Sequence, residues 1–316
     1  MNTIDAQRAA LDRLGDIAEA DRPLAPHTTY RLGGPAAVFA TPRSISDLEL
    51  VGAVARETGL AVLVVGRGSN LLVADEGFAG IAVSMAEMPE EVAFNDTCVT
   101  ASAIVALPVL ARKCSATGLV GFEWAVGVPG SIGGAVRMNA GGHGSDMQAS
   151  LQGATIVDLH TGHTSWVEAA RLGLRFRGSD LADHQVVVDA TIGLQHGDIA
   201  ASEAMLSEIV RWRREHQPGG QNAGSVFVNP VPGELAAAQL IDGLGLRGFR
   251  IGGACVSEKH ANFIQAQPGA TAADVRAVIE HVRSEVHART GFLLRSEVRL
   301  VGFADLVHDD REGVAL

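Results

Sequence analysis

The stretch from Gly121 to Gly141 restricts this chain more than any other, because its centre reads Gly127-Val128-Pro129-Gly130-Ser131-Ile132-Gly133-Gly134. Glycine has no Cβ and enters φ > 0 without strain, so such a loop can press its N–H groups against an anion. A helix starting near Ser131 would add the positive end of its dipole. A phosphate is the natural guest. A plain glycine turn between strand and helix is the competing reading. A second loop, Gly66-Arg67-Gly68-Ser69-Asn70, follows directly on the apolar run Ala61 to Val65 and favours the phosphate, since two loops can hold a diphosphate from opposite sides. Neither loop is the dinucleotide fingerprint G-x-G-x-x-G in a βαβ setting, nor a Walker loop.

The anion must be met by local donors, because the chain as a whole is acidic. Its formal net charge of −11 opposes a general nucleic-acid or anionic-membrane binder. A chain of 316 residues, 47% hydrophobic and 19% charged, reads as a globular protein of two or three domains. The first residues lack the basic and apolar regions of a signal peptide, and no apolar run approaches a membrane span, so a cytoplasmic protein without membrane insertion is expected. Cys98, Cys114 and Cys255 have no CxxC or Cys/His spacing. They point to neither a disulfide framework nor a metal site and read as small buried hydrophobes.

In chain order, residues Ala6 to Ala20 have helical character and Ala36 to Ala40 reads as a strand. Ser46 and Glu49 have capping-box spacing ahead of a helix stopped at Gly59, and Ala61 to Val65 is the next strand. Pro89 to Asp96 reads as turns, Cys98 to Ser102 as a strand, and Leu107 to Thr117 as a helix. Strands follow near Ala154 to Leu159 and Gln185 to Leu194, then an amphipathic helix Ser202 to His216 and a glycine-rich linker, Gln217 to Gly224. Helix Glu234 to Leu244 and a strand near Asn262 to Gln265 come next. Thr271 and Asp274 have capping spacing, Val275, Val278, Ile279, Val282 and Val286 form one apolar face, and Gly291 ends that helix. Phe292 to Gly302 reads as a strand with Arg295, Glu297 and Arg299 on one face and Leu294, Val298 and Leu300 on the other.

Several short segments then fall into a familiar order: Thr29-Tyr30-Arg31-Leu32-Gly33-Gly34, the two glycine loops, Phe176-Arg177-Gly178-Ser179, Gly224-Ser225-Val226-Phe227-Val228-Asn229-Pro230, Val256-Ser257-Glu258-Lys259-His260-Ala261 and Leu294-Arg295-Ser296-Glu297. In these the chain resembles the UDP-N-acetylenolpyruvoylglucosamine reductases (UDP-N-acetylmuramate dehydrogenases), in their shorter subclass, over nearly its whole length. The resemblance implies an α+β fold: a two-part FAD-binding region of the vanillyl-alcohol-oxidase (PCMH) type and a C-terminal α/β substrate-binding domain. The boundaries expected are 1–85 for the first FAD-binding subdomain, joined by a C-terminal strand within 296–316, then 86–214 for the second, and 215–295 for the substrate domain.

The resemblance also implies roles. Gly66, Arg67, Gly68, Ser69, Asn70 and Leu71 would hold non-covalent FAD together with Gly127, Val128, Pro129, Gly130, Ser131, Gly133 and Gly134, with Asn139 and Gly141 continuing the flavin-side wall. Arg177 would stabilise an enolate, Ser225 would give the proton, and Glu297 would work with Arg177. Asn229 and Lys259 would contact the substrate, a UDP-sugar enolpyruvyl ether, and NADPH would be the hydride donor. The chain departs from the family pattern at Phe176, where tyrosine is common, at Val228, where lysine is common, and at Gly142-His143, where Ala-Tyr is usual. Lys259 or a nearby arginine is the expected substitute for the lost cation. Two other readings stay open: another flavin oxidase or dehydrogenase on the same scaffold, or a flavin or sugar-nucleotide binding protein without catalysis.

Overall fold

The computed structural model describes residues 2–303, so the end of the expected strand at 296–316 lies outside the described residues. The chain forms two compact units, one from residues 1–22, 36–67 and 79–213, the other from 23–35, 68–78 and 214 onward.

In the first unit an opening helix, Thr3–Leu14, ends at Gly15 (φ 55), and the residues after it form a strand, Ala18–Pro23, where helical character was expected to continue. That strand edges a sheet whose order is Ala18–Pro23, Pro35–Ala40, Phe78–Ser84, Val62–Val65, the last two parallel. The helix Ile45–Thr58 connects within it. Its cap is Ser44, whose side chain accepts from the Asp47 N–H, two residues ahead of the Ser46–Glu49 pair that the spacing offered. Gly59 closes it at φ 71, as the sequence indicated.

A second, antiparallel sheet of the same unit runs His163–Glu168, Leu151–Asp158, Gln185–Gly193, Cys98–Ser102, Val92–Asn95. Its last strand occupies the stretch read as turns. Asp96, at φ 52, turns the chain between paired Asn95 and Cys98, so a tight hairpin replaces the loop. One core fills this sheet's contact with the helices Leu107–Ala116, Ile132–Met138 and Ile199–His216, while a second joins the two sheets through Val157, Leu159, Val186 and Val188. The approach is close at Gly52, where an added Cβ would fall 2.5 Å from the Leu159 carbonyl oxygen.

The second unit is built around the helix Ala272–Thr290, begun by Thr271 and Asp274 and ended by Gly291 at φ 79. Its apolar face packs on a three-stranded antiparallel sheet, Arg250–Ile251, Ala254–Val256 and Ile264–Ala266, whose first two strands are too short for a sequence signal. Asp75 accepts from the N–H groups of Ala272 and Ala273 at 2.9 and 3.0 Å, which fastens the 68–78 segment to that helix. Leu71–Val73 pairs in parallel with Arg299–Val301.

Candidate active site

In the first unit Gly66, the start of one glycine loop, meets the other loop at Ser131. An added Cβ on Gly66 would stand 3.0 Å from the Ser131 Oγ, so Gly66 and Ser131 share one small space. Ser131 is buried at the N-terminus of the helix Ile132–Met138. Ile132 and Gly133 give their N–H groups to the carbonyls of Val105 and Ala103, at 3.0 and 2.9 Å. These two hold the loop in place and do not face a ligand. Gly133 is a glycine for packing, since its Cβ would lie 2.9 Å from that of Ala103. Gly127 is similar, closed in by Ile209 and His143, whereas Gly130 takes φ 131, a backbone region that side chains rarely enter.

Asn139 ends that helix in the left-handed region and is 1% exposed. Its amide nitrogen donates to Asp146 and to the Arg175 carbonyl, and its oxygen accepts from the Gln148 N–H, at 3.1, 3.2 and 2.8 Å. The side chain expected on the flavin wall is therefore a hub that joins the Gly141–Asp146 hairpin to the turn bearing Arg177. In that turn Arg175 and Gly178 exchange both backbone hydrogen bonds, leaving Phe176 and Arg177 at the tip, with Arg177 at φ 58. Its guanidinium lies 5.1 Å from the Phe176 ring centroid, which gives the residue in the usual tyrosine position a cation–π contact. Ser179 Oγ anchors the turn to the Arg137 carbonyl at 2.7 Å. His143 packs edge-on to Trp212, and burial together with Arg213 holds its pKa below the ordinary value.

The second unit carries Gly68, Ser69, Asn70 and Leu71 together with Ser225 and Glu297. Gly68, at φ 59, would bring a Cβ to 2.0 Å from the His27 carbonyl oxygen. Asn70, expected on the cofactor, donates from its side chain to the Glu297 carbonyl at 2.8 Å. A bridge between Phe227 and Ser296 brings the two expected catalytic segments side by side, with Val226 opposite Glu297 and Val228 opposite Arg295. Asn262, which sequence reasoning passed over, holds the serine segment. Its backbone oxygen accepts from Val226, while its side chain accepts from and donates to Phe227 at 2.9 and 2.8 Å. The only hint was its place directly after His260-Ala261. Asn229 Oδ1 accepts from the Ala237 N–H at 3.1 Å, capping a short helix, and Lys259 Nζ donates to the Arg214 carbonyl. Lys259 also lines a cavity of about 410 Å³ with Arg250, Cys255, Glu258, Gln265 and Gln267.

Comparison with known proteins decides the family. Residues 216–301 match the UDP-N-acetylenolpyruvoylglucosamine reductase C-terminal domain, and residues 36–168 match an FAD binding domain. The reductase of Heliobacterium modesticaldum is 44% identical over 282 residues, 89% of each chain. The chain belongs to the UDP-N-acetylenolpyruvoylglucosamine reductase family. The Bacillus subtilis reductase is 36% identical over 90% of this chain and 93% of its own. The crystal structure of the Thermus caldophilus reductase superposes with a TM-score of 0.76 at 30% identity, covering 90% of this chain and 98% of the other. The fold is thus an FAD-binding region of the PCMH type with the C-terminal domain of these reductases, and the enzyme class is UDP-N-acetylmuramate dehydrogenase. FAD fits residues 36–168, which match the FAD binding domain and in which Gly66 lies against the buried Ser131 at a helix start while Gly130 takes φ 131. Among the described residues no group of three or more His, Cys, Asp and Glu could hold a metal ion, and no helix is long and apolar enough to cross a membrane.

Proposed function

We propose that the protein uses NADPH to reduce UDP-N-acetylglucosamine enolpyruvate to UDP-N-acetylmuramate in the cytoplasm, a step of peptidoglycan precursor synthesis that serves cell shape and division. The observation that carries this reading is the Phe227–Ser296 bridge, which seats Ser225 one residue from the position opposite Glu297. Bound FAD supplies hydride transfer from NADPH to the vinyl carbon C3 of the substrate.

The chain's own residues manage charge and protons. Addition at C3 leaves negative charge over C2 and the adjacent carboxylate. Arg177, presented by a turn closed with two backbone hydrogen bonds, stabilises that charge where it develops, an effect of ~3 kcal/mol per preorganised donor. Ser225 delivers the proton to C2, and Glu297 orients the enol through hydrogen bonds. Gly66 to Leu71 and Gly127 to Gly134 hold the FAD pyrophosphate, with Asn139 and Gly141 fixing the adjoining hairpin. Asn229 and Lys259 serve the substrate side.

Stopped-flow separation of the two half-reactions tests the reading. NADPH should bleach the flavin, and the enolpyruvyl nucleotide should restore its absorbance much faster than oxygen does. Reoxidation by oxygen alone at the faster rate would replace this function with that of an oxidase.

A further inference from the structure

We propose that Arg295 binds an oxyanion of the sugar-nucleotide substrate on the strand face that carries Glu297, an inference that rests on the function proposed above. The strand geometry comes first. Around the Phe227–Ser296 bridge the Val228 N–H donates to the Arg295 carbonyl at 2.9 Å, and the Glu297 N–H donates to the Val226 carbonyl at 2.7 Å. Residues 295 and 297 therefore project from one face of an extended segment, about 7 Å apart along it, while Leu294 and Val298 are buried on the other. Glu297 belongs to the expected catalytic set, so Arg295 stands one side-chain row from it.

The guanidinium itself supplies the second observation. Arg295 is half-buried, and its side chain makes no hydrogen bond, ion pair or ring contact with any described residue. Two other half-buried arginines of the same unit are engaged: Arg247 with Asp242 and the Glu258 carbonyl, Arg276 with Glu280. Lys259, the cation expected on the substrate, holds the Arg214 carbonyl. A partly desolvated guanidinium beside a binding segment, with its fork of donors unused, is matched to a carboxylate or a phosphate. The substrate brings both, as the enolpyruvyl carboxylate and the diphosphate. The facing position, Val228, is 8% exposed and apolar, so the cation on this ladder comes from the strand of Glu297 alone.

The test uses FAD-loaded protein and three forms: wild type, Arg295→Ala, and the double variant Val228→Lys/Arg295→Ala, which moves the cation across the ladder. Flavin content, melting temperature and the rate of flavin reduction by NADPH report folding and the cofactor side. Arg295→Ala should leave all three unchanged and raise KM for the enolpyruvyl nucleotide about ten- to a hundredfold, with kcat little altered. The double variant should recover most of the loss. A parallel fall in UDP affinity, titrated alone, assigns the diphosphate; unchanged UDP affinity with the raised KM assigns the carboxylate. Wild-type turnover with KM and UDP affinity both unchanged in Arg295→Ala overturns the proposal and leaves the function standing. A wild type that neither turns over the nucleotide nor binds UDP removes the function and the proposal together.

Discussion

The glycine loop of the first unit and the serine segment of the second, both proposed above as binding elements, are fixed by opposite means. Residues 127–134 are fixed by absence of side chains: Gly127 and Gly133 leave no room for a Cβ against Ile209, His143 and Ala103. Residues 224–228 are fixed by a polar side chain, with Asn262 engaging Val226 and Phe227 and no atom within 4 Å of a Cβ placed on Gly224. The first design reads directly from a sequence, because crowded glycines cluster. The second does not, because the residue that organises it stands 35 positions away.

The contrast is broken most severely at Ser225. Ser225→Ala should lower kcat for the enolpyruvyl nucleotide by on the order of 10³-fold, while FAD content and reduction by NADPH stay as in wild type. Unchanged turnover would remove Ser225 from the mechanism. Next in size is Asn262→Ala. It strips two hydrogen bonds from the buried Phe227 backbone, and with both groups left unsatisfied stability should fall by about 3 kcal/mol, read by urea unfolding. A loss below about 1 kcal/mol would mean that water replaces the amide and that the segment is fixed by packing after all. The matching change in the first unit is Gly133→Val, which overpacks the contact with Ala103 and should cost about 2 kcal/mol. Its signature is protein depleted of flavin, seen as a lower ratio of 450 to 280 nm absorbance; full flavin content would take this loop away from the cofactor.

The same contrast sets how much was legible in advance. The helix Ala272–Thr290 was readable at both ends and along its buried face, since cap, period and stop all lie within one segment. So was the sharing of a face by Arg295 and Glu297. Asn70 and Asn139 were placed on the cofactor by the family resemblance, which says nothing of the Glu297 and Arg175 carbonyls that their amides hold. Those contacts cross 227 and 36 positions, a distance at which local pattern carries no information. The strand Val92–Asn95 was missed for a local reason, because Asp96 turns at φ 52 without the glycine that usually marks such a turn.

The smallest effect is expected where the second unit is most legible, at the cap of its long helix. Asp274 accepts from the N–H groups of Gly253 and Thr271 at 3.0 and 3.1 Å, and these two bonds, above all the one from Gly253, hold its carboxyl below the usual aspartate range. A carboxylate with a depressed folded pKa contributes stability that is fully present above the unfolded value of about 3.9 and is lost as pH falls through the folded value. With the cap lost, Asp274→Ala should destabilise by about 0.5 kcal/mol at pH 7, a small effect because solvent screens this carboxylate, and the gap to wild type should close only below about pH 4. Gly253 is packed against Ala270, where its Cβ would fall 2.6 Å from that residue's Cα, so its N–H has little freedom to find another acceptor. A gap that persists unchanged to pH 2 would show that Asp274 acts by packing, and that the second unit, like the glycine loop of the first, is fixed here by shape.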